Sequence, residues 1–377
     1  MVRYAGKAFL TRAIAKLIAD EGLGLDVVSL GELHTALSAN FPPEEIEMNG
    51  NAKSREEISL AVKSGVSRII VDHPDELKII EEFAREKNIV QKILIRVAPG
   101  VDAHTHAYIA TGQTGSKFGF PAEGSMLPDA INYAAKSEYL DLTGLHFHVG
   151  SQLFDTDDYT KAIEKTLELM KRLKDTLNFT TYELNIGGGF GAVISPKIPC
   201  MRSEFYTEPI MKALYEGCKK FGLEIPVVIL EPGRWIVSEA GITIYKVENV
   251  KELSGITYIA VDGGMADNPR YALYQAEYEA VAIENPDGEI FTPKDGGNVS
   301  IVGKCCESGD ILIENVKMPK VKAGDLIALY NTGAYTFSMA SNYNCLQRPA
   351  VVFVEDGNAK LTVERQSLDD LIRGDLL

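Results

Sequence analysis

Chemically capable side chains recur at the ends of apolar segments in this 377-residue chain. Lys7 ends the first such segment, Val2–Ala8. A lysine there either snorkels at a rim or, if buried, loses its charge readily and becomes a good Schiff-base nucleophile. His146 and His148 flank Phe147, and extended backbone puts both on one face. That pattern suits satisfied core histidines, a weak metal pair or a catalytic pair alike. With no third ligand at the usual spacing, no metal is expected. Gly187-Gly188-Gly189 makes either a tight turn or a cradle in which backbone N–H groups approach an anion. Glu231-Pro232-Gly233-Arg234 follows the very apolar Val227–Leu230. A carboxylate there needs a cationic or protonated partner, supplied either by Arg234 or by a ligand with a protonated ring nitrogen.

The elements that must position these groups follow from periodicity. Short β-branched segments (Val2–Ala8, Leu25–Ser29, Ile46–Asn49, Arg68–Asp72, Lys92–Val97, Leu142–Val149, Tyr182–Gly187 and Pro226–Glu231) alternate with stretches of helical period such as Phe9–Ala19, Ser54–Ser64 and Tyr159–Leu173. Ser54 ahead of Glu57 is a capping box, and Gly65 stops the helix that follows. Eight strands with seven intervening helices within about 238 residues predict an α/β fold of the (β/α)8 TIM-barrel type, with a doubly wound open sheet as the alternative. In a barrel the carboxyl ends of the strands carry the chemistry, and Lys7, Ser29, Glu32, Arg96, His148, the glycine triplet and Glu231–Arg234 all fall there. A reactive lysine, a phosphate-binding turn and an acid facing a ring nitrogen are together what pyridoxal phosphate requires, so this cofactor is the hypothesis the residues support. Beyond about Ser238 the segments become β-rich and separated by Gly, Asn, Asp and Pro, predicting a barrel at 1–238 and an all-β barrel or sandwich at 239–377.

Composition narrows the functional class. A net charge of −15, from 38 basic and 53 acidic side chains, argues against nucleic-acid and anionic-membrane surfaces. No apolar run is long enough to span a bilayer, and the start MVRYAGKAFL lacks signal-peptide order, so a cytoplasmic protein is expected. Cys200, Cys218, Cys305, Cys306 and Cys345 form an odd set without a C-x-x-C pair, which fits reduced thiols.

Several ordered motifs carry a resemblance that runs along the chain. Tyr4-Ala5-Gly6-Lys7-Ala8, Leu25-Asp26-Val27-Val28-Ser29, His146–Gln152, Asn185–Gly189 and Glu231–Arg234 resemble the fold-type III pyridoxal-phosphate-dependent decarboxylases. So do Asp262–Met265 with Arg270 and Tyr274, Cys306-Glu307-Ser308-Gly309-Asp310, and Gly333-Ala334-Tyr335 with Ser338–Ala340 and Tyr343-Asn344. The resemblance implies an alanine-racemase-like barrel followed by an all-β C-terminal domain. It makes Lys7 the covalent anchor of pyridoxal 5'-phosphate, His148 the residue stacked on its ring and Glu231 the partner of its pyridine nitrogen. Ser151, Gly187, Gly188, Gly189 and the backbone of Glu231, Pro232, Gly233 and Arg234 would hold the phosphate, with Tyr335 closing the site. Arg234, Arg270, Tyr274, Glu307 and Tyr335 would contact the substrate, and Cys306 would donate a proton.

The same resemblance implies a homodimer in which Cys306 and Glu307 reach the partner subunit's barrel. It also implies decarboxylation of meso-2,6-diaminopimelate to L-lysine, because a glutamate rather than a shorter aspartate follows Cys306. Ornithine- or arginine-type decarboxylation, an alanine-racemase-like activity and a non-catalytic cofactor carrier are the rival readings. A racemase needs a second, opposed base, for which no motif is found, and a carrier does not need the β domain that bears Arg270, Cys306 and Tyr335. Members of this family carry several tens of residues ahead of the lysine strand, so an unpaired edge or exposed apolar face is expected here.

Overall fold

Strands β1 (Arg3–Ala5), β2 (Gly24–Val27), β3 (Ile46–Met48), β4 (Arg68–Val71), β5 (Gln91–Ala98), β6 (Leu140–His146), β7 (Glu183–Asn185) and β8 (Val227–Ile229) hydrogen-bond in that order, each pair parallel. A further two-residue strand, Phe120–Pro121, pairs with β5. The computed structural model describes residues 1–100, 117–192, 201–283 and 297–376. A parallel bridge between Val2 and Leu230 joins β8 back to β1, with Arg3 N–H donating to Leu230 O at 2.8 Å and Ala5 N–H to Pro232 O at 3.1 Å. This closure excludes the open-sheet alternative and makes the unit a barrel.

Helices α1 (Arg12–Asp20), α2 (Leu30–Ser38), α3 (Arg55–Ser64), α4 (Pro74–Lys87), α5 (Met126–Lys136), α6 (Asp157–Leu177) and α7 (Ser203–Phe221) connect successive strands. Their ends follow local chemistry. Thr11 caps α1, Ser54 and Glu57 form the expected box on α3, and Gly65, Asn88 and Asn178 end α3, α4 and α6 in the left-handed conformation. Ser29 and Glu32 follow the second strand as expected, and there they also cap α2: Ser29 Oγ accepts Glu32 N–H at 3.2 Å, and Glu32 Oε2 accepts Val28 N–H at 2.7 Å.

Ile70, Leu94 and Ile229 form an apolar cluster within the barrel. At the amino ends of β4 and β7, buried Arg68 pairs with Glu183, Nε to Oε2 at 2.7 Å, and Thr143 donates to the same oxygen at 2.7 Å. A guanidinium out of water is tolerable only with such a matched carboxylate.

The barrel unit comprises Met1–Gly191 with Met201–Trp235, and a second unit begins at Ile236. Strands β9 (Thr243–Leu253), β10 (Ile256–Val261), β11 (Ala280–Ile283), β12 (Gly297–Val302), β13 (Ile311–Met318) and β14 (Leu326–Leu329) form one sheet in the order β11-β14-β9-β10-β12-β13. Only β10 and β12 pair in parallel. The sheet folds over a core that includes Tyr245, Val247, Ile259, Val261, Ile301, Leu312 and Leu329. Strands β15 (Val351–Glu355) and β16 (Asn358–Val363) make a separate hairpin whose turn residues Asp356 and Gly357 both take positive φ. Ile244, Leu253 and Ile256 lie exposed on β9 and β10.

No helix among the described residues is long and apolar enough to cross a membrane. Cys218, Cys305, Cys306 and Cys345 are free thiols, and Cys200 lies outside the described residues.

Candidate active site

The barrel mouth is built from the loops beyond the short strands. β1 stops at Ala5 and Gly6–Ala8 form a 3-10 turn, so Lys7 stands exposed on the rim instead of ending the strand as expected. Its charge nevertheless acts on Asp26, Glu32 and His148. His148 likewise lies two residues past β6. Burial first, then the charges of Lys7 and Arg96, push its imidazole well below the ordinary histidine value. Gly188 N–H donates to its Nδ1 at 3.3 Å, which leaves a neutral ring with its proton on Nε2.

Under the rim sits a set of buried acids and amides. Glu231 Oε1 accepts Asn185 Nδ2 at 2.7 Å, lies 3.1 Å from His146 Nε2 and 3.4 Å from Asn49 Nδ2, and the same Asn185 amide reaches Glu47 Oε1 at 3.0 Å. Carboxylate oxygens of Asp26, Glu47 and Glu231 lie within 4.8 Å of one another. Burial and then the charge of Glu231 push Asp26 and Glu47 well above the usual carboxylate range, with Arg3 Nε, 3.4 Å from Glu47 Oε2, pulling Glu47 the other way. Burial also acts to raise Glu231, but the pull of His146 and the hydrogen bonds from His146 and Glu47 outweigh it and hold Glu231 ionised. The barrel thus presents one carboxylate kept negative by its neighbours.

The glycine turn is tight for steric reasons. A Cβ on Gly188 would fall 2.0 Å from Glu231 O, and Gly189 has φ of 109°. Tyr159 OH donates to Gly188 O at 3.0 Å and steadies the turn. Two N–H groups of the triplet are engaged within the protein: Gly187 N–H donates to Asn185 Oδ1 at 2.9 Å and Gly188 N–H to His148 Nδ1 at 3.3 Å. Gly189 N–H is the member of the triplet without an acceptor among the described residues. Ser151 Oγ accepts Arg234 Nη2 at 3.1 Å, adding a hydroxyl and a guanidinium to the anion-binding groups. Glu231 draws its hydrogen bonds from Asn185, His146 and Asn49, so the simplest pairing expected from sequence, Glu231 with Arg234, is not how the acid is held. Buried Arg96 stands 3.9 Å from Asp72 and over the Phe118 ring.

In the sheet unit, Cys306 and Glu307 are exposed on the loop between β12 and β13, while neighbouring Cys305 is buried. Tyr335 is a non-glycine residue at φ 59°, a conformation kept only where the surroundings enforce it. Arg270 opens the short helix Arg270–Tyr274 and is buried, with Nη1 donating to Tyr278 OH at 3.2 Å.

Residues 1–238 match the family model described as pyridoxal-dependent decarboxylase, pyridoxal binding domain, and residues 234–333 match the C-terminal sheet domain of such enzymes. The chain belongs to the pyridoxal-dependent decarboxylases. It is 46% identical to the diaminopimelate decarboxylase of Bacillus subtilis, covering 100% of this chain and 84% of that protein. Among solved structures, the diaminopimelate decarboxylase from M. jannaschi superposes with a TM-score of 0.91 at 34% identity, covering 100% of this chain and 85% of that one. The Helicobacter pylori diaminopimelate decarboxylase complexed with L-lysine gives 0.89 at 33% identity, covering 99% and 89%.

The cofactor of this decarboxylase is therefore pyridoxal phosphate, and its residues fit the group. A rim amine, a carboxylate held negative, and a turn too tight for side chains match the carbonyl, ring nitrogen and phosphate of the cofactor. Sequence reasoning missed Glu47, Asn49 and Asn185 as partners of Glu231. The available signal was a charged or amide side chain in short, otherwise apolar strands, as in Ile46-Glu47-Met48 and Glu183-Leu184-Asn185.

Proposed function

We propose that this decarboxylase converts meso-2,6-diaminopimelate to L-lysine and carbon dioxide, as a cytoplasmic homodimer with a pyridoxal-binding part at 1–238 and a β-rich part at 239–377. The observation that carries the substrate is the end-to-end similarity to diaminopimelate decarboxylases. Bound pyridoxal phosphate supplies the electron sink for the breaking carbon–carboxylate bond. Lys7 Nζ is the amine that would hold the cofactor through its carbonyl group. Glu231, ionised, holds a proton on the pyridine nitrogen, and Glu47 and His146 keep it in that state. His148 offers a neutral ring to stack on. Ser151, the glycine turn with Gly189 N–H, and Glu231 to Arg234 bind the phosphate, and Tyr335 closes the site. Cys306 Sγ donates the proton that replaces the lost carboxylate. Glu307 orients the distal ammonium, while Arg234, Arg270, Tyr274 and Tyr335 serve the substrate's carboxylates.

The test is carbon dioxide release from meso-diaminopimelate beside ornithine and arginine, for the full chain and for Lys7→Ala. Release from diaminopimelate alone, lost in the variant, is the expected outcome. Preferential release from ornithine or arginine overturns the substrate assignment.

A further inference from the structure

Two adjacent cysteines in the sheet unit face opposite ways, and the backbone between them is fastened at both amides. Cys305 N–H donates to Asp310 Oδ2 at 2.7 Å, and Cys306 N–H donates to Asn344 Oδ1 at 2.7 Å. Asp310 is 4% exposed, and its other oxygen, Oδ1, accepts Met265 N–H at 2.6 Å, so one carboxylate ties the loop to the turn after β10. Room for it is made by missing side chains: a Cβ on Gly264 would lie 2.5 Å, and on Gly303 2.2 Å, from Asp310 Oδ2. Asn344 holds its amide from φ 52°, beside Cys345 at φ 55°. Asparagine adopts this left-handed conformation more readily than most residues.

We propose that Asp310 and Asn344 are positioning residues that clamp consecutive amides and thereby decide that Cys306, and not Cys305, is presented to the reaction. The clamp rests on the reading of Cys306 as proton donor. The two residues lie in a bend closed by Glu307 N–H donating to Cys305 O at 2.8 Å, which leaves one side chain buried and the next exposed, so a change in this bend changes which thiol is presented. The two positions differ in kind: burial, then the charge and hydrogen bond of Asp310, push the Cys305 thiol up to about 11, whereas Cys306 is exposed. A thiol in the Cys305 position is shut away from solvent and so from a substrate that needs a proton.

The experiment uses the full-length holoenzyme with Asn344→Ala, Asn344→Asp, Asp310→Asn and Cys306→Ala. Three quantities are followed: hydrogen exchange at the Met265, Cys305 and Cys306 amides, the relative alkylation of Cys305 and Cys306 by iodoacetamide, and the lysine formed per carbon dioxide released. Asn344→Ala is expected to speed exchange at Cys306 by roughly tenfold. It should also raise Cys305 alkylation relative to Cys306 and lower the lysine yield per carbon dioxide as protons go astray. Asn344→Asp keeps an acceptor oxygen and should restore all three. Asp310→Asn turns one acceptor into a donor facing an N–H and should speed exchange at Met265 or Cys305. Unchanged exchange in both Asn344→Ala and Asp310→Asn overturns the clamp, as does faster exchange with the cysteine preference unaltered. If Cys306→Ala leaves the lysine yield at the wild-type ratio, the proton-donor reading fails by itself, and the alkylation preference judges the clamp.

Discussion

Glu231 illustrates how a single residue's role is set by neighbours from other strands. Three carboxyl groups within 4.8 Å cannot all be ionised in a buried place, and the hydrogen bonds decide that the charge rests on Glu231. Glu231→Gln keeps the shape but removes the charge that would stabilise a protonated ring nitrogen. Its kcat should fall by roughly a hundredfold or more while the cofactor still binds, as checked by steady-state kinetics beside an absorbance titration. Glu47→Ala removes a hydrogen bond that lowers Glu231, so the Glu231 value rises. Because the ionised form is the active one, the acid limb of the activity–pH profile should shift to higher pH. A shift to lower pH, or none, would contradict the shared-proton arrangement.

At the scale of elements, two turns do much of the positioning. Gly188→Ala drives a methyl group to 2.0 Å from Glu231 O, so the loop after β7 must separate from the loop after β8. The expected cost is about 1–3 kcal/mol in unfolding free energy, with weaker cofactor binding, measured by denaturation and by cofactor titration. In the turn after β10, burial raises Asp267 to about 6, opposed by hydrogen bonds from Tyr245 OH and Gly264 N–H. A raised carboxyl favours the folded state when protonated, so its contribution is complete below about pH 4 and is lost as pH rises through about 6. Asp267→Asn has no such proton to lose. The stability of wild type relative to this variant should therefore decline between those values, by at most about 3 kcal/mol, as read from denaturation curves across the range.

For the whole molecule the decisive question is whether each site draws on two chains. Lys7→Ala and Cys306→Ala homodimers should each be nearly inactive. Mixed under exchanging conditions, half of the dimers become heterodimers, and shared sites leave each of these with one intact centre. Recovery of roughly a quarter of wild-type activity is then expected. Failure to recover activity, with subunit exchange confirmed by mass, would place Lys7 and Cys306 in one chain's site. A net charge of −15 does nothing to attract an anionic cofactor, so on the proposed reading local donors such as Gly189 N–H, Ser151 and Arg234 would have to hold its phosphate.

Much of this was legible in the chain itself. Alternation of β-branched and helical-period segments is a local property of backbone and side chain, so the eight strands, the caps at Ser54 and Gly65 and the change of texture near Ser238 could be read directly. Motif order then pointed to the family and to pyridoxal phosphate. Strand count and length favoured a barrel over an open sheet, but the closing contact itself was not legible, since the Val2–Leu230 bridge depends on accumulated strand tilt and register across the whole sheet. Nor could the sequence reveal that Lys7 leaves the strand on a 3-10 turn, because that depends on where β1 stops. Which of Asp26, Glu47 and Glu231 carries the charge was decided by tertiary structure alone: protonation answers to burial and to the summed field of groups distant in sequence, and no spacing along a chain encodes that sum.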